Sequence, residues 1–337
     1  MATPYEHLSA TQRRTHLADV AARAAPLWGV SPHAQITLLN LSENATYRID
    51  DPHAVVPLIL RVHRTGYHSF DAVRSELAWM KALKDEAGIN TPQALPARDG
   101  QLIQIVASPA LHEQRLVVMF AYIVGHEPLA DALLEPFTQL GALAARMHQH
   151  ARRWVRPAYF ERLEWDFEGA VGRRGNWGDW RDAPGLDAAA MDVLEQLLDR
   201  LSMRLERFGM DDTRFGLIHA DLRLANLLVT EHDIRVIDFD DAGLGWYLYD
   251  VASAVSFMEE RQDLGALIAA WMAGYRSVAD LSRPEEAEIP TFLMLRRIAI
   301  LAWIGSHADT DLAQELGLPY TQGSVRLAQR YLAMFPH

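Results

Sequence analysis

The sequence predicts an α+β fold, strand-rich in its first third and helical beyond it. Three observations predict this. Short runs of β-branched and aromatic residues crowd into residues 1–123. One segment among them, 70–86, instead carries apolar residues at helical spacing. After Gly125 the helical spacing dominates almost to His337.

Residues 11–27 mix alanine and leucine with arginine and read as an N-terminal helix. Strands are expected at Gln35–Leu41, Thr46–Ile49, Val56–His63, Leu102–Ala107 and Arg115–Ile123. Between the third and fourth, Val73, Leu77, Met80 and Leu83 give the helix at 70–86 an apolar stripe. A boundary is expected near residue 124, dividing 1–123 from 124–337. Past it, Phe137, Leu140, Leu143, Ala144 and Met147 share one helical face, and another helix runs from about Leu186 to Phe208. Residues 155–185 break the pattern with Trp165, Trp177, Trp180 and scattered arginines and glycines. They read as a loop or insertion, either a functional lid or a surface excursion. Beyond Gly245 nearly everything reads as helix.

At 337 residues the chain is long enough to bury a sizeable core. Its residues are 50% apolar with charge interspersed, which excludes a disordered chain. A net charge of -12 argues against nucleic acid or an anionic membrane as a partner. The absence of cysteine excludes disulfides, thiolate chemistry and Cys-ligated zinc. Met1–His7 show no charged-then-apolar signal pattern, and the most apolar late stretch, 298–304, is too short to span a bilayer. A cytoplasmic location is therefore expected. Lys81 and Lys84 are the only lysines. Nothing in the sequence sets an oligomeric state.

One stretch carries chemistry. Leu217-Ile-His219-Ala-Asp221-Leu-Arg-Leu-Ala-Asn226-Leu-Leu-Val is followed by Val236-Ile-Asp238-Phe-Asp240-Asp241. The pattern is H-x-D-x4-N, an apolar strand, then D-F-D. Phosphoryl transfer needs a carboxylate that orients the attacking hydroxyl and accepts its proton, with oxygen ligands for Mg²⁺ beside it. Asp221 fits the base, and Asn226 and Asp238 fit the metal ligands. Apolar runs at 227–229 and 234–237 flank a polar turn, Thr230-Glu-His-Asp, so a hairpin can bring the three side chains together.

These residues resemble the catalytic core of the aminoglycoside phosphotransferase and choline kinase superfamily. Its members are protein-kinase-like small-molecule kinases, including homoserine kinase type II and stress-response kinases. The resemblance covers about residues 35–260. It implies a bilobal fold with a small five-stranded antiparallel sheet and a larger helical lobe. It also implies ATP and Mg²⁺ as cofactors, a catalytic loop at 217–229 and a metal-binding segment at 236–241. Asp240 would then serve a second metal or the substrate, and Asp241 would face solvent. His219 and Asp250 would be structural supports of the loop. Ala220 stands where many relatives have glycine.

On the nucleotide side the resemblance places Arg61 where a phosphate-bridging lysine is expected, with Glu76 as its ion-pair partner. Arginine keeps the charge and can grip phosphate, though the two are not interchangeable. The phosphate-covering loop would run from Asn40 to Tyr47, with Asn44 and Thr46 contacting phosphate although the loop has no glycine. Met119 and Ala121 would read adenine through the backbone. For the acceptor, the candidates are Arg223, Trp246, Tyr247 and Glu259, with His148, Glu260, Trp303 and His307 on neighbouring segments.

The expected function is ATP-dependent transfer of phosphate to a hydroxyl of a small metabolite, an amino alcohol or an amino acid such as homoserine. A stress-response-type Ser/Thr protein kinase is the alternative, disfavoured because no A-P-E segment follows Asp240. A pseudokinase scaffold is motivated by Arg61 and the glycine-free loop. Against it, the base and both metal ligands are present.

Overall fold

The structure is a computed structural model that describes residues 5–41, 44–128, 133–230 and 234–336. The chain forms two compact units. One comprises Met1–Ala82, Asn90–Gly125 and Arg156–Glu161, and the other Leu83–Ile89, His126–Val155 and Arg162–His337.

In the first unit, helix α1 (Ala10–Ala24) opens on a capping box in which Ser9 and Gln12 satisfy each other's backbone amides. Strands β1 (Gln35–Leu41), β2 (Ala45–Asp50) and β3 (Leu58–Val62) follow, then helix α2 (Phe70–Ala87) and strands β4 (Ala94–Leu95), β5 (Ile103–Ser108) and β6 (Glu113–Ala121). The strands form an antiparallel sheet of order β1-β2-β3-β6-β4, with β5 also on β6. Five strands were expected among residues now described. The sixth, β4, is two residues long and too short to leave a periodic signal.

The sheet has two unlike faces because strand side chains alternate. Ala45, Tyr47 and Ile49 of β2 join Leu60 and Val62 of β3 and Met119 of β6 in a core closed by Leu17, Val20, Ala21 and Ala24 of α1. The intervening residues point the other way. Thr46 lies opposite Arg61, and Arg61 lies opposite Val118. The register of the hydrophobic core therefore also aims the arginine.

The second unit takes in the end of α2 at Leu83–Ala87 and then α3 (Leu134–Arg153), followed along the chain by the short strand β7 (Leu163–Trp165) and helix α4 (Phe167–Val171). Helix α5 (Ala188–Phe208), strands β8 (Phe215–Ile218), β9 (Leu227–Val229), β10 (Ile234–Val236) and β11 (Gly243–Trp246), and helices α6 (Tyr249–Ala254), α7 (Leu264–Arg276), α8 (Arg283–Ser306) and α9 (Asp311–Met334) complete it. Helices α3 and α7 cross closely: a Cβ on Gly141 would lie 1.9 Å from Trp271 O, and one on Gly274 1.8 Å from Thr138 O. Only glycine permits that approach.

Residues 155–185 are not a structureless loop. Strand β7 pairs parallel with β11, which pairs antiparallel with β8. Trp165, Trp177 and Trp180 are buried. The segment looked structureless because its elements are three to five residues long and no helical or strand period develops.

Helix α8 also departs from expectation. The stretch at 298–304 belongs to a 24-residue helix started by a Ser282/Glu285 capping box with Pro284 in the first turn. By length and composition alone this helix could cross a membrane, but 72% of its apolar window is buried inside the fold. It is the central helix of this unit, with Phe292, Leu295, Ile298 and Leu301 fully buried.

His150 of α3 is buried, its Nε2 3.1 Å from Glu86 Oε2. Burial pulls its pKa below the ordinary 6.5, with Glu86 acting in the opposite direction. As pH falls below 6.5 the unfolded chain takes up the proton first. Stability is therefore full above that pH and is lost on descending toward the lower folded value. Melting temperature should fall between pH 7 and 5, and His150→Gln should flatten that slope. An unchanged slope in the variant would remove His150 from the explanation.

Candidate active site

The catalytic loop leaves β8 and returns along a ribbon. Strands β9 and β10 pair with Leu227 opposite Val236, and the Ile237 amide donates to Asn226 O at 2.9 Å. Asn226 and Asp238 thus sit at the same end of one two-stranded ribbon. The turn expected at 230–233 falls mostly on residues outside the described ones.

Asp221 lies at the centre of a polar cluster and is 9% exposed. Arg296 Nη2 donates to its Oδ1 at 2.6 Å. Its Oδ2 accepts from Asn226 Nδ2 at 2.7 Å and from Arg223 Nε at 3.0 Å. Burial pushes the carboxyl up, but the charges of Arg223 and Arg296 outweigh it and hold the pKa below the ordinary aspartate value. Asp221 is therefore ionised at neutral pH.

The loop backbone is fixed from beneath by Asp250, which begins α6 and is fully buried. Its Oδ1 accepts the Ala220 amide at 2.9 Å, and its Oδ2 accepts the His219 amide at 3.3 Å. His148 Nε2 lies 2.9 Å from the same Oδ2. His219 Nε2 donates to Ile237 O at 3.1 Å, and burial holds its imidazole well toward the neutral form. Ala220 has φ of +65°, a conformation that costs a non-glycine residue strain. The glycine-to-alanine exchange is thus not trivial. The strain is held in place because Ser253 Oγ and Arg296 Nη1 both donate to Ala220 O, at 2.6 and 3.1 Å.

The oxygen donors for a metal fit Mg²⁺ in kind. Asn226 Nδ2 donates to both Asp221 O (2.9 Å) and Asp221 Oδ2, which orients the amide so that its Oδ1 could ligate a metal. Asp238 is exposed at φ +63°, and Asp240 is buried. Among the described residues, no three His, Cys, Asp or Glu side chains form a metal cluster by themselves. The fit therefore depends on including the asparagine amide. Asp241 is half-buried rather than solvent-facing, and its Oδ1 accepts from Trp177 Nε1 at 3.3 Å.

In the first unit, Arg61 Nη2 donates to both oxygens of Glu76, at 2.6 and 2.7 Å, with side chains 8% and 0% exposed. The guanidinium lies 5.1 Å from the Phe120 ring. Removing one partner of so buried a pair leaves the other charge unmatched. Glu76→Gln keeps an acceptor but loses the charge, and should destabilise the protein by about 2 kcal/mol. Chemical denaturation checks this, and an unchanged midpoint would contradict it. Asn44 Oδ1 accepts the Arg64 amide at 3.1 Å, so the side chain ties its own loop, while Ser42 and Glu43 lie outside the described residues.

The structure places the other expected ligand contacts as follows. Met119 is fully buried in the core, flanked by Leu60 and Leu95, and the Ala121 amide donates to Gln93 O at 2.9 Å. Both are committed to the sheet. Trp246 is core: its Nε1 donates to Gly209 O at 2.8 Å, and its ring meets Phe215 and Phe292. Tyr247 is covered by the rings and cations of His148 and Arg152. Both are buried because β11 ends on Trp246 and the chain runs on through Tyr247 into the interior. Glu259 is buried and paired with Arg297 Nη1 at 2.7 Å, and burial raises its pKa. Glu260 pairs with Arg326 at 2.9 Å. Trp303 stacks on His307 at the end of α8.

Two contributors were missed. Arg296 sits 75 residues from Asp221. Its available signal was a pair of arginines, 296 and 297, inside an apolar helix, since a charge there needs a buried partner. Arg162 donates to the carbonyls of Phe239, Asp240 and Ala242 and so braces residues 239–242.

Comparison with known proteins agrees with this geometry. The family model described as "Phosphotransferase enzyme family" matches residues 36–286. The solved structure of a microcompartment-associated aminopropanol kinase is 43% identical, covers 94% of this chain and 98% of that one, and superposes with a TM-score of 0.87. The amicoumacin kinase hAmiN, solved with AMP-PNP, Ca²⁺ and Ami, is 23% identical over 97% of each chain, with a TM-score of 0.77. A homoserine kinase of Gluconobacter oxydans is 27% identical over 260 residues, 73% of this chain and 77% of that protein. The chain belongs to the phosphotransferase enzyme family and is a small-molecule kinase with a protein-kinase-like fold.

Proposed function

We propose that this kinase transfers the γ-phosphate of ATP to the hydroxyl of a small amino alcohol of the aminopropanol type. The observation that carries the reading is 43% identity, over 94% of the chain, to an aminopropanol kinase. Asp221 orients the hydroxyl and accepts its proton. Asn226 and Asp238 hold Mg²⁺, with Asp240 as a further oxygen ligand. Bound Mg-ATP supplies the phosphoryl group and neutralises the charge that develops on it. Arg61, aimed by its pair with Glu76, meets the nucleotide phosphates, aided by Thr46. Adenine is read by backbone groups around Met119 and Ala121 at the end of β6. Arg223, which contacts Asp221 Oδ2 at 3.0 Å, meets the acceptor.

Homoserine is a second candidate acceptor because a homoserine kinase is also a relative. A coupled assay of ADP formation separates the two. Aminopropanol is expected to support turnover at a kcat/KM at least about tenfold above homoserine. If homoserine wins, the amino-alcohol reading falls. ADP formation that depends on neither would defeat both.

A further inference from the structure

We propose that Arg296 is a positioning residue for Asp221: it holds Oδ1 permanently, so Oδ2 is the oxygen that meets the acceptor hydroxyl. The inference rests on the reading of Asp221 as proton acceptor and assigns its two oxygens different duties.

The two arginines at Asp221 are not equivalent. Arg296 projects from the middle of α8 and is 2% exposed. Each of its nitrogens has a partner: Nη2 on Asp221 Oδ1 at 2.6 Å, Nη1 on Ala220 O at 3.1 Å and Nε on Ser256 Oγ at 3.2 Å. Its guanidinium carbon lies 4.6 Å from the Trp177 ring and 5.6 Å from the Tyr249 ring. A planar guanidinium held at every nitrogen and between aromatic rings has no alternative orientation at hand. It also grips the same loop twice, at the carboxylate and at the strained Ala220 peptide.

Arg223 differs. It reaches Oδ2 at 3.0 Å from a side chain that is 31% exposed, and its other close ring, Phe257, is 5.9 Å away. A partly solvated side chain exchanges such a contact for water or ligand at little cost. Oδ2 also accepts from the buried Asn226 Nδ2 at 2.7 Å, but its second partner, Arg223, can yield to the acceptor, whereas the buried Arg296 on Oδ1 does not. In the transfer, the acceptor oxygen bonds to the γ-phosphorus as the bond to the β,γ-bridging oxygen breaks. The hydroxyl proton passes to Oδ2, ADP leaves, and the proton is later released to water. A carboxylate that rotated by even about 1 Å would lose roughly 10²-fold in rate. The buried guanidinium prevents that rotation.

The test uses the full chain with Mg-ATP and aminopropanol, and compares Arg296→Met, Arg296→Lys, Asp221→Asn and the double variant Asp221→Asn/Arg296→Met. Arg296→Met should lower kcat roughly 10²-fold while KM for ATP stays within about twofold. Arg296→Lys should restore part of the loss. In the double variant the second change should cost nothing further, because nothing is left to position. A merely structural arginine would instead raise KM along with the loss of kcat, and its effect would multiply with that of Asp221→Asn. Either result overturns the proposal, as does near-normal kcat in Arg296→Met. If Arg296→Met does not fold, the double variant, which lacks the stranded carboxylate, and Arg296→Lys carry the same comparison. Wild-type turnover in Asp221→Asn would defeat the reading of Asp221 itself. An inactive Asp221→Asn beside a fully active Arg296→Met would defeat only the role of Arg296.

Discussion

Asp221→Asn lowers phosphate transfer by roughly 10³-fold, the range expected for losing a positioned general base. The substitution keeps the size of the side chain and an oxygen for Arg296 or Asn226. It removes the charge and turns one acceptor position into an amide donor. Because both arginines stay, the site gains uncompensated positive charge where the hydroxyl proton should leave. KM for ATP should change little, since phosphate binding does not depend on this carboxylate. The burial and charge at Asp221 add a pH corollary. Its carboxyl lies below the ordinary 3.8, so wild-type kcat/KM should show no acidic limb from this group at or above that value. Steady-state kinetics of the variant check the first claim. Turnover within a few-fold of wild type would make the base irrelevant.

Asp250→Ala should be the most damaging change at a position that touches no ligand. The carboxylate is fully buried and accepts the His219 and Ala220 amides, with His148 Nε2 at 2.9 Å. Truncation strands these donors where water cannot replace the acceptor. At about 1–3 kcal/mol for each unsatisfied buried group, the loss should be about 3–5 kcal/mol. Activity should fall as well, because Ala220 is held in its left-handed conformation partly through that carboxylate, and Asp221 follows it directly. Denaturation and kinetics on the same preparation test this. A stable variant with a normal kcat would show that the loop holds its shape without Asp250.

The parts legible in the sequence were those in which chemistry and proximity along the chain coincide. Asp221 and Asn226 occupy one loop, and Asp238 is one ribbon turn away, so H-x-D-x4-N and D-F-D bring these three residues close without tertiary information. The strands of the sheet were legible because one face is buried by α1 and the alternation is clean in β2. Arg296 was not legible as a partner of Asp221, because the contact exists only once α8 is packed beneath the loop. Trp246 and Tyr247 show the reverse relation. They lie near the motif in sequence, yet β11 carries them into the core. The tryptophan-rich segment failed on period: β7 is three residues long and is recognisable only by its pairing with β11.

The most direct measurement is phosphorus NMR and mass spectrometry of the product formed from Mg-ATP and aminopropanol, with Asp221→Asn alongside. The account predicts a phosphate monoester on the hydroxyl carbon, formed by the wild type and nearly absent with the variant. Phosphate on the amine, phosphate on protein alone, or equal product from the variant would contradict it.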